Sequence, residues 1–146
     1  GSQLAEMSRE YIEAGLPWWN WTPKRMTKAI KSRENITLVL RIEGKTRGFA
    51  LMGFGEERAH LNLLAVEPAY RRFGYGRAMM AWLEESCVIA GIRSIALECR
   101  ASNQAAIRFY QTEGFEICGE QRQYYCGQET AIRMRKSIGD PNISPP

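Results

Sequence analysis

The spacing of apolar positions changes along the chain between a helical and a strand-like period, and these changes predict the secondary structure. Residues 76–90 place Met80, Leu83 and Cys87 three to four positions apart, which is the period of a half-buried helix. Residues 36–43 instead read ITLVLRIE, a β-branched and aliphatic run typical of a strand. By these criteria helices are expected at residues 4–14, 23–31, 76–90 and 103–113, and strands at residues 36–43, 47–54, 59–66, 94–99, 115–120 and 129–135.

Glycine, proline and capping residues mark where the predicted elements begin and end. Thr22 is suited to cap a helix that has Pro23 at its first position. Gly91 and Gly114 each follow the last periodic residue of a helix. Residues 44–45 are expected to form the turn of a hairpin between the first two strands.

The predicted order of elements is ααβββαβαββ, which indicates a mixed sheet with helices packed against it. The strand, helix and strand of residues 59–99 form a crossover unit, and such a unit makes its two strands parallel. We therefore predict a single three-layer α+β domain over residues 3–137. Residues 1–2 are typical of a cloning scar, and residues 138–146 are rich in proline and are expected to form a frayed tail.

Composition and charge narrow the class of ligand only slightly. The net charge of +4 over 146 residues suits an anionic ligand but is too small to argue for nucleic acid. No apolar run approaches the roughly 18–20 residues of a membrane span. The four cysteines form no C-x-x-C pair and His60 is the single histidine, so no zinc site is expected. The cysteines are interpreted as reduced thiols of a cytoplasmic protein.

The stretch AVEPAYRRFGYGRAMM places arginines and glycines between a predicted strand and a predicted helix. Gly74 and Gly76 let backbone N–H groups face outward, and the helix N-terminus adds positive potential, so this turn is suited to a phosphate. A plain strand-to-helix turn is the alternative, since glycines are common there. No lysine follows Gly76, which excludes a P-loop, and Met79 stands at the third glycine position of the dinucleotide fingerprint, which excludes that motif.

A third phosphate-binding motif, unlike the two excluded above, matches the same turn. Arg71-x-x-Gly74-x-Gly76 after LLAVEP resembles the acetyl-CoA signature R/Q-x-x-G-x-G/A of the GCN5-related N-acetyltransferases, the GNAT family. The segment LECRASNQAAIRFYQTEGF and the later YY and AIRM resemble the bacterial ribosomal-protein-alanine N-acetyltransferases of that family. The resemblance spans residues 36–135. It implies a three-layer α/β/α fold whose mixed, mostly antiparallel sheet has a splayed central parallel pair.

The resemblance implies an enzyme with acetyl-CoA as co-substrate and no metal. In the family, the strand before the turn splays from its neighbour, and its backbone binds the pantetheine arm and polarises the thioester carbonyl. That role falls on Leu64, Ala65 and Val66, whose side chains are otherwise those of a buried strand. Asn103 matches a CoA contact, although it is equally typical of a helix start. The remaining residues implied in binding CoA are Arg71, Arg72, Phe73, Gly74, Tyr75, Gly76 and Arg77.

Two residues match the family's acid and base. Tyr110 corresponds to the general acid, because a phenol with a pKa near ~10 can protonate the departing thiolate. The alternative for Tyr110 is a core aromatic beside Phe109. Glu98 corresponds to the proposed general base of the ribosomal-protein enzymes, and a carboxylate in an apolar strand needs a partner or a function. The alternative for Glu98 is a salt bridge with Arg100 or Arg93.

The acceptor side is less defined. The resemblance places LPWWNWTP on one wall of the acceptor groove and the YY pair on the other, although a hydrophobic plug and strand-end aromatics are the alternatives. The family normally has a strand before its first helix, and this chain begins at that helix, so we expect that strand to be missing. A partner chain could then cover the exposed edge, which leaves a homodimer open. The residues implied in binding the acceptor are Trp18, Trp19, Trp21, Tyr124 and Tyr125.

Three functions remain open from the sequence. The first is acetyl transfer from acetyl-CoA to the α-amine of a protein N-terminus, by direct attack without a covalent enzyme intermediate. The second is the same chemistry on a small amine or a lysine side chain. The third is a non-catalytic acyl-CoA-binding module, which would keep the glycine turn without needing Tyr110 or Glu98.

Overall fold

A computed structural model describes residues 2–11, 22–32, 34–122 and 129–138 of the chain. Its elements confirm the predicted order of two helices, three strands, helix, strand, helix and two strands, with one short 3-10 helix added after the third strand. In chain order they are α1 Ser2–Tyr11, α2 Pro23–Lys31, β1 Asn35–Ile42, β2 Lys45–Phe54, β3 Arg58–Val66, the 3-10 helix Pro68–Tyr70, α3 Tyr75–Ile89, β4 Ser94–Arg100, α4 Gln104–Thr112, β5 Glu116–Gln121 and β6 Ala131–Ser137.

The six strands form one mixed sheet in the order β1-β2-β3-β4-β6-β5. All neighbouring pairs are antiparallel except β3 and β4, which are parallel and are joined through α3. The crossover predicted from residues 59–99 is therefore confirmed. In the described residues no strand precedes α1, and β1 lies at one edge of the sheet.

Helices cover both faces of the sheet, as the three-layer prediction requires. On one face α3 and α4 pack over a core that includes Met80, Leu83 and Tyr110. On the other face α1 and α2 pack over a second core centred on Met26 and Phe49. The apolar stripe that predicted α3 is thus the stripe that this helix buries.

A β-bulge in β3 moves its side chains from one core to the other. Leu63 pairs with Leu51, whereas Leu61 pairs with Met52, so Asn62 is an extra residue in the ladder. Leu61 consequently packs in the core under α3, and Leu63 packs in the core under α1 and α2. Two side chains that simple alternation would put on one face therefore lie on opposite faces.

Several boundaries differ slightly from the sequence prediction. The hairpin turn lies at residues 43–44 rather than 44–45, because Glu43 and Gly44 both adopt positive φ. Thr22 caps α2 as predicted, and its side chain accepts a hydrogen bond from the backbone N–H of Arg25 at 3.4 Å. Ile138, expected to begin the tail, is buried and its N–H donates to the Arg93 carbonyl at 2.9 Å. Residues 139–146 lie outside the described residues.

Candidate active site

The parallel strands β3 and β4 pair over only three residues before they separate. Arg58, Ala59 and His60 pair with Ser94, Ile95 and Ala96, and no register continues beyond His60. Both strands nevertheless continue, β3 to Val66 and β4 to Arg100. The central pair is therefore splayed, as the family resemblance predicted, and the opening faces the C-terminal ends of the two strands.

Two residues of β3 direct their backbone N–H and C=O groups toward this opening. The Glu67 N–H donates to the Arg47 carbonyl at 2.7 Å, which makes the Gly48–Val66 pair one whose own N–H and C=O groups point away from β2. By the alternation of an antiparallel ladder, Leu64 shares this orientation and Ala65 points toward β2. Of the three backbone positions predicted for the pantetheine arm, Leu64 and Val66 thus face the gap and Ala65 does not.

The glycine turn that follows β3 provides no side-chain acceptor for the backbone N–H groups at the start of α3. Gly74 is the N-cap in the left-handed region at φ +83°, and no side chain caps this helix. Arg72 is also left-handed at φ +69°, a conformation that costs a residue with a Cβ about 1–2 kcal/mol. The first helical bond runs from the Ala78 N–H to the Gly74 carbonyl at 3.0 Å, so the N–H groups before Ala78 remain available.

These features fit a phosphate-bearing ligand. Unpaired N–H groups at a helix N-terminus attract anions, and the exposed side chains of Arg71, Arg72 and Arg77 add positive charge around them. Gly76 has a different role, because a Cβ there would lie 3.2 Å from the Phe109 ring, so glycine allows α3 and α4 to pack closely. The turn therefore combines an anion cradle with a tight helix contact.

Glu98 lies just past the last paired residues of the splayed strands, on the face opposite the α3 core. Its carboxylate on β4 is hydrogen-bonded to Nε2 of His60 on β3. Nδ1 of His60 lies 2.8 Å from Oδ1 of Asn62. The hydrogen bond from His60 lowers the pKa of Glu98, and the charge of Arg133 on β6 lowers it further. The alternative partner Arg100 is instead bound to Glu129 at 2.7 Å.

Tyr110 lies on the other face, in the core between α4 and the splayed end of β4. Its ring meets the rings of Phe109 and Phe115 edge-on, with centroids 5.2 and 5.6 Å away. Burial and the nearby Cys99 raise the pKa of Tyr110 above its usual range. The hydroxyl therefore keeps its proton at neutral pH, which a general acid requires, but the raised pKa also makes it a weaker acid than an exposed phenol. Its core packing and its predicted role are compatible.

Two further residues acquire clear local roles. Asn103 caps α4, with its Oδ1 accepting a hydrogen bond from the Ala106 N–H at 3.1 Å, which agrees with the helix-start interpretation. Its contact with CoA stays a prediction. Cys99 is buried and burial raises the pKa of its thiol to about 11, so it is a poor nucleophile at neutral pH.

The splayed strands, the glycine turn and this helix N-terminus define an acyl-CoA transferase fold, and comparison with known proteins agrees. The family model "Acetyltransferase (GNAT) family" matches residues 4–115, so the chain belongs to that family. It is an acetyltransferase with acetyl-CoA as its acetyl donor and an amine as its acceptor. Within the described part of the chain, no three His, Cys, Asp or Glu side chains cluster as metal ligands.

Three similar proteins cover most of the chain. The [ribosomal protein bS18]-alanine N-acetyltransferase of Escherichia coli K12 is 33% identical over 131 residues, which is 88% of each chain. The N-alpha-acetyltransferase RimI of Mycobacterium tuberculosis is 30% identical over 84% of this chain and 78% of its own. The crystal structure of Ard1 from Thermoplasma volcanium is 25% identical, with a TM-score of 0.83 over 96% of this chain and 95% of that one.

The structure brings together most of the predicted site and adds one residue to it. The glycine turn, Leu64, Val66 and Glu98 border the opening between β3 and β4, and Tyr110 packs beside the splayed end of β4. His60 was used in the sequence only to exclude zinc, although a histidine in an apolar strand predicted to pair with the strand of Glu98 was a usable signal. The predicted acceptor residues lie outside the described residues; these are Trp18, Trp19, Trp21, Tyr124 and Tyr125.

Proposed function

We propose that this acetyltransferase acts on the α-amine of a protein N-terminus, by direct transfer from acetyl-CoA. The observation that carries the chemistry is the opening between β3 and β4, where backbone groups of β3 are left unpaired and Glu98 of β4 lies just past the last paired residues. The choice of acceptor is supported by the similarity to the E. coli and M. tuberculosis enzymes, both named for N-terminal acetylation.

The roles of the chain's own groups follow from their positions. The N–H groups of Leu64 and Val66 are free to donate to the thioester carbonyl oxygen, where negative charge develops. The turn around Gly74 would hold the pyrophosphate of CoA. When bound, acetyl-CoA supplies an activated acetyl group and a thiolate leaving group. Tyr110 would give that leaving group a proton, and Glu98 would take part in accepting the proton lost by the amine.

The ordinary pKa values of amines favour an N-terminal acceptor. An α-amine has a pKa of about 8 and a lysine side chain about 10.4, so a much larger fraction of α-amine is unprotonated at neutral pH. Only the unprotonated amine has the electron pair that attacks the thioester. A site whose neutral-pH base is weak therefore works more easily on an N-terminus than on lysine.

We also propose a cytoplasmic location and no nucleic-acid partner. The buried free thiols of Cys87 and Cys99 suit a reducing compartment. No helix in the described ranges is both long and apolar enough to span a membrane.

A homodimer through the edge strand β1 stays a prediction, which sedimentation of the purified protein would test.

Release of CoA thiol in the presence of a panel of acceptors tests the proposed function. The panel comprises alanine-starting peptides with free and with blocked N-termini, lysine peptides with blocked N-termini, and polyamines. We expect turnover with free N-termini and none when the N-terminus is blocked. Turnover confined to polyamines or lysine peptides would overturn the N-terminal assignment while leaving the acetyl-transfer chemistry in place.

A further inference from the structure

The contact between His60 and Glu98 links the two splayed strands at the point where they separate. His60 belongs to the last pair of the β3–β4 register, and its ring crosses to the carboxylate of Glu98, two residues further along β4. The other ring nitrogen faces Oδ1 of Asn62 at 2.8 Å. Both nitrogens therefore face oxygen atoms, an environment that suits the doubly protonated, positively charged imidazolium.

The two side chains that contact the His60 ring both favour its protonated form. The carboxylate of Glu98 and the amide oxygen of Asn62 both favour the protonated form of His60, and together they raise its pKa above the ordinary 6.5 despite partial burial. The hydrogen bond from His60 lowers the pKa of Glu98, and the charge of Arg133, paired with Glu98 across β4 and β6, lowers it further. The facing residue on β2 is Gly53, which carries no charge.

Exposure separates the two members of the pair. The His60 side chain is 41% exposed, whereas that of Glu98 is 20% exposed and has its carboxylate engaged by the ring. A proton donor that enters from solvent therefore meets the imidazole more readily than the carboxylate.

We propose that His60 is the proton acceptor of this enzyme and that Glu98 acts through it. This proposal rests on the proposed transfer to an amine. In this arrangement Nδ1 of the neutral imidazole, the ring nitrogen that does not face Glu98, exchanges its contact with Asn62 for the incoming group and takes a proton from the acceptor ammonium, either directly or through one water. The N–H bond of the ammonium breaks, its electron pair stays on the amine nitrogen, and a new N–H bond forms on the ring. Glu98 holds the ring and stabilises the imidazolium, which later gives its proton to water.

The ordinary pKa values of the two groups support this division of roles. A base works best when its pKa lies near the working pH and near that of the group it deprotonates. A carboxylate near ~4.3 is a poor match for an α-amine near ~8, and an imidazole raised above ~6.5 by an adjacent carboxylate is a closer one. The same logic assigns the acid–base role to histidine and the supporting role to the carboxylate in Ser-His-Asp sites.

Titration of His60 by nuclear magnetic resonance tests the pairing without requiring turnover. His60 is the only histidine in the chain, so its ring signals need no assignment by mutation. We expect a pKa above 6.5 in the wild type that falls in Glu98→Gln. The matched control is Glu85→Gln, an exposed glutamate on α3, which lies on the other face of the sheet and should change nothing. A wild-type pKa at or below 6.5, or one unaffected by Glu98→Gln, would overturn the proposal.

Kinetics of His60→Gln test the catalytic role. Glutamine keeps a hydrogen-bonding side chain but takes up no proton, so we expect kcat/KM for the acceptor to fall on the order of 100-fold, with KM for acetyl-CoA unchanged. The acidic limb of the pH–rate profile should also lose its dependence on a group whose pKa lies above ~6.5. Activity within about twofold of the wild type would contradict the proposal.

The design separates this proposal from the proposed function. Any amine that is turned over serves for the His60→Gln comparison, so acetylation of lysine or polyamine instead of an N-terminus would overturn only the proposed acceptor. If none of the amines were turned over, the titration of His60 would still decide whether the pair exists.

Discussion

The guanidinium of Arg71 donates a hydrogen bond from Nε to the carbonyl oxygen of Val66 at 2.8 Å. This bond ties the first residue of the acetyl-CoA signature back to the last residue of β3, whose backbone faces the opening. Arg71 thus fixes where the glycine turn lies relative to the strand end. Its hydrogen bond gives the signature arginine a positioning role in addition to its charge.

Replacement of Arg71 separates position from charge. Hydrogen bonds of charged groups contribute about 1.5–3 kcal/mol, so we expect Arg71→Ala to raise the dissociation constant of acetyl-CoA about 10- to 100-fold. Arg71→Lys keeps the charge without the Nε donor and should weaken binding nearly as much. Isothermal titration with acetyl-CoA measures both variants. Wild-type affinity in Arg71→Lys would show that charge alone matters.

The backbone conformation of Gly74 should affect the binding of acetyl-CoA. Gly74 and Gly91 have similar positive φ angles, +83° and +80°, and a Cβ on either would meet no atom within 4 Å. Gly74→Ala and Gly91→Ala should therefore each lower the free energy of unfolding by about 1–2 kcal/mol. Only Gly74→Ala should also raise KM for acetyl-CoA, because Gly91 ends α3 far along the chain from the turn. Equal KM values for the two variants would count against the phosphate cradle.

Tyr110→Phe tests whether the buried phenol is an acid or only a core residue. Phenylalanine preserves the edge-on contacts with Phe109 and Phe115, so the melting temperature should change little. If the hydroxyl supplies a proton, kcat should fall on the order of 100-fold while acetyl-CoA still binds. Tyr70→Phe, in the 3-10 helix, is the matched control. Unchanged kcat in Tyr110→Phe would remove the acid role.

The His60–Glu98 pair should give a pH-dependent contribution to stability. The pKa of folded His60 is raised above 6.5, so its contribution is complete below 6.5 and is lost as the pH rises through the raised value. The pKa of folded Glu98 is lowered below 4.5, so its contribution is complete above 4.5 and is lost as the pH falls through the lowered value. The window in which both are complete lies between these two ordinary values.

Melting temperatures of the wild type and His60→Gln, measured across this range, check that expectation. The difference should be largest near pH ~5.5 and should shrink on both sides. A difference that does not vary with pH would mean that His60 contributes packing alone.

The layers and the order of the elements were predictable because they depend on local signals. The stripe that includes Met80 and Leu83 defined α3, Thr22 with Pro23 marked the start of α2, and the crossover rule made β3 and β4 parallel. The first two signals come from residues within a few positions of one another, and the crossover rule needs only the order of the elements. The family resemblance then supplied the splay between the strands.

The features that escaped the sequence depend on contacts between distant residues. His60 and Glu98 are 38 positions apart, and only the β3–β4 register brings them together. The bulge at Asn62 depends on pairing with β2, and it reverses the faces expected for the side chains that precede it. The roles of Leu64 and Val66, as opposed to Ala65, likewise follow from which carbonyl of β2 accepts a hydrogen bond. None of these can be read from a single strand.

The most direct test of the account is the position of the acetyl group on one peptide that offers both kinds of amine. An alanine-starting peptide with a free N-terminus and an internal lysine is incubated with the enzyme and acetyl-CoA, and the product is sequenced by tandem mass spectrometry. We predict that the acetyl group is on the α-amine of the first residue. Acetyl on the lysine, or an unmodified peptide under conditions in which another amine is turned over, would contradict the central claim.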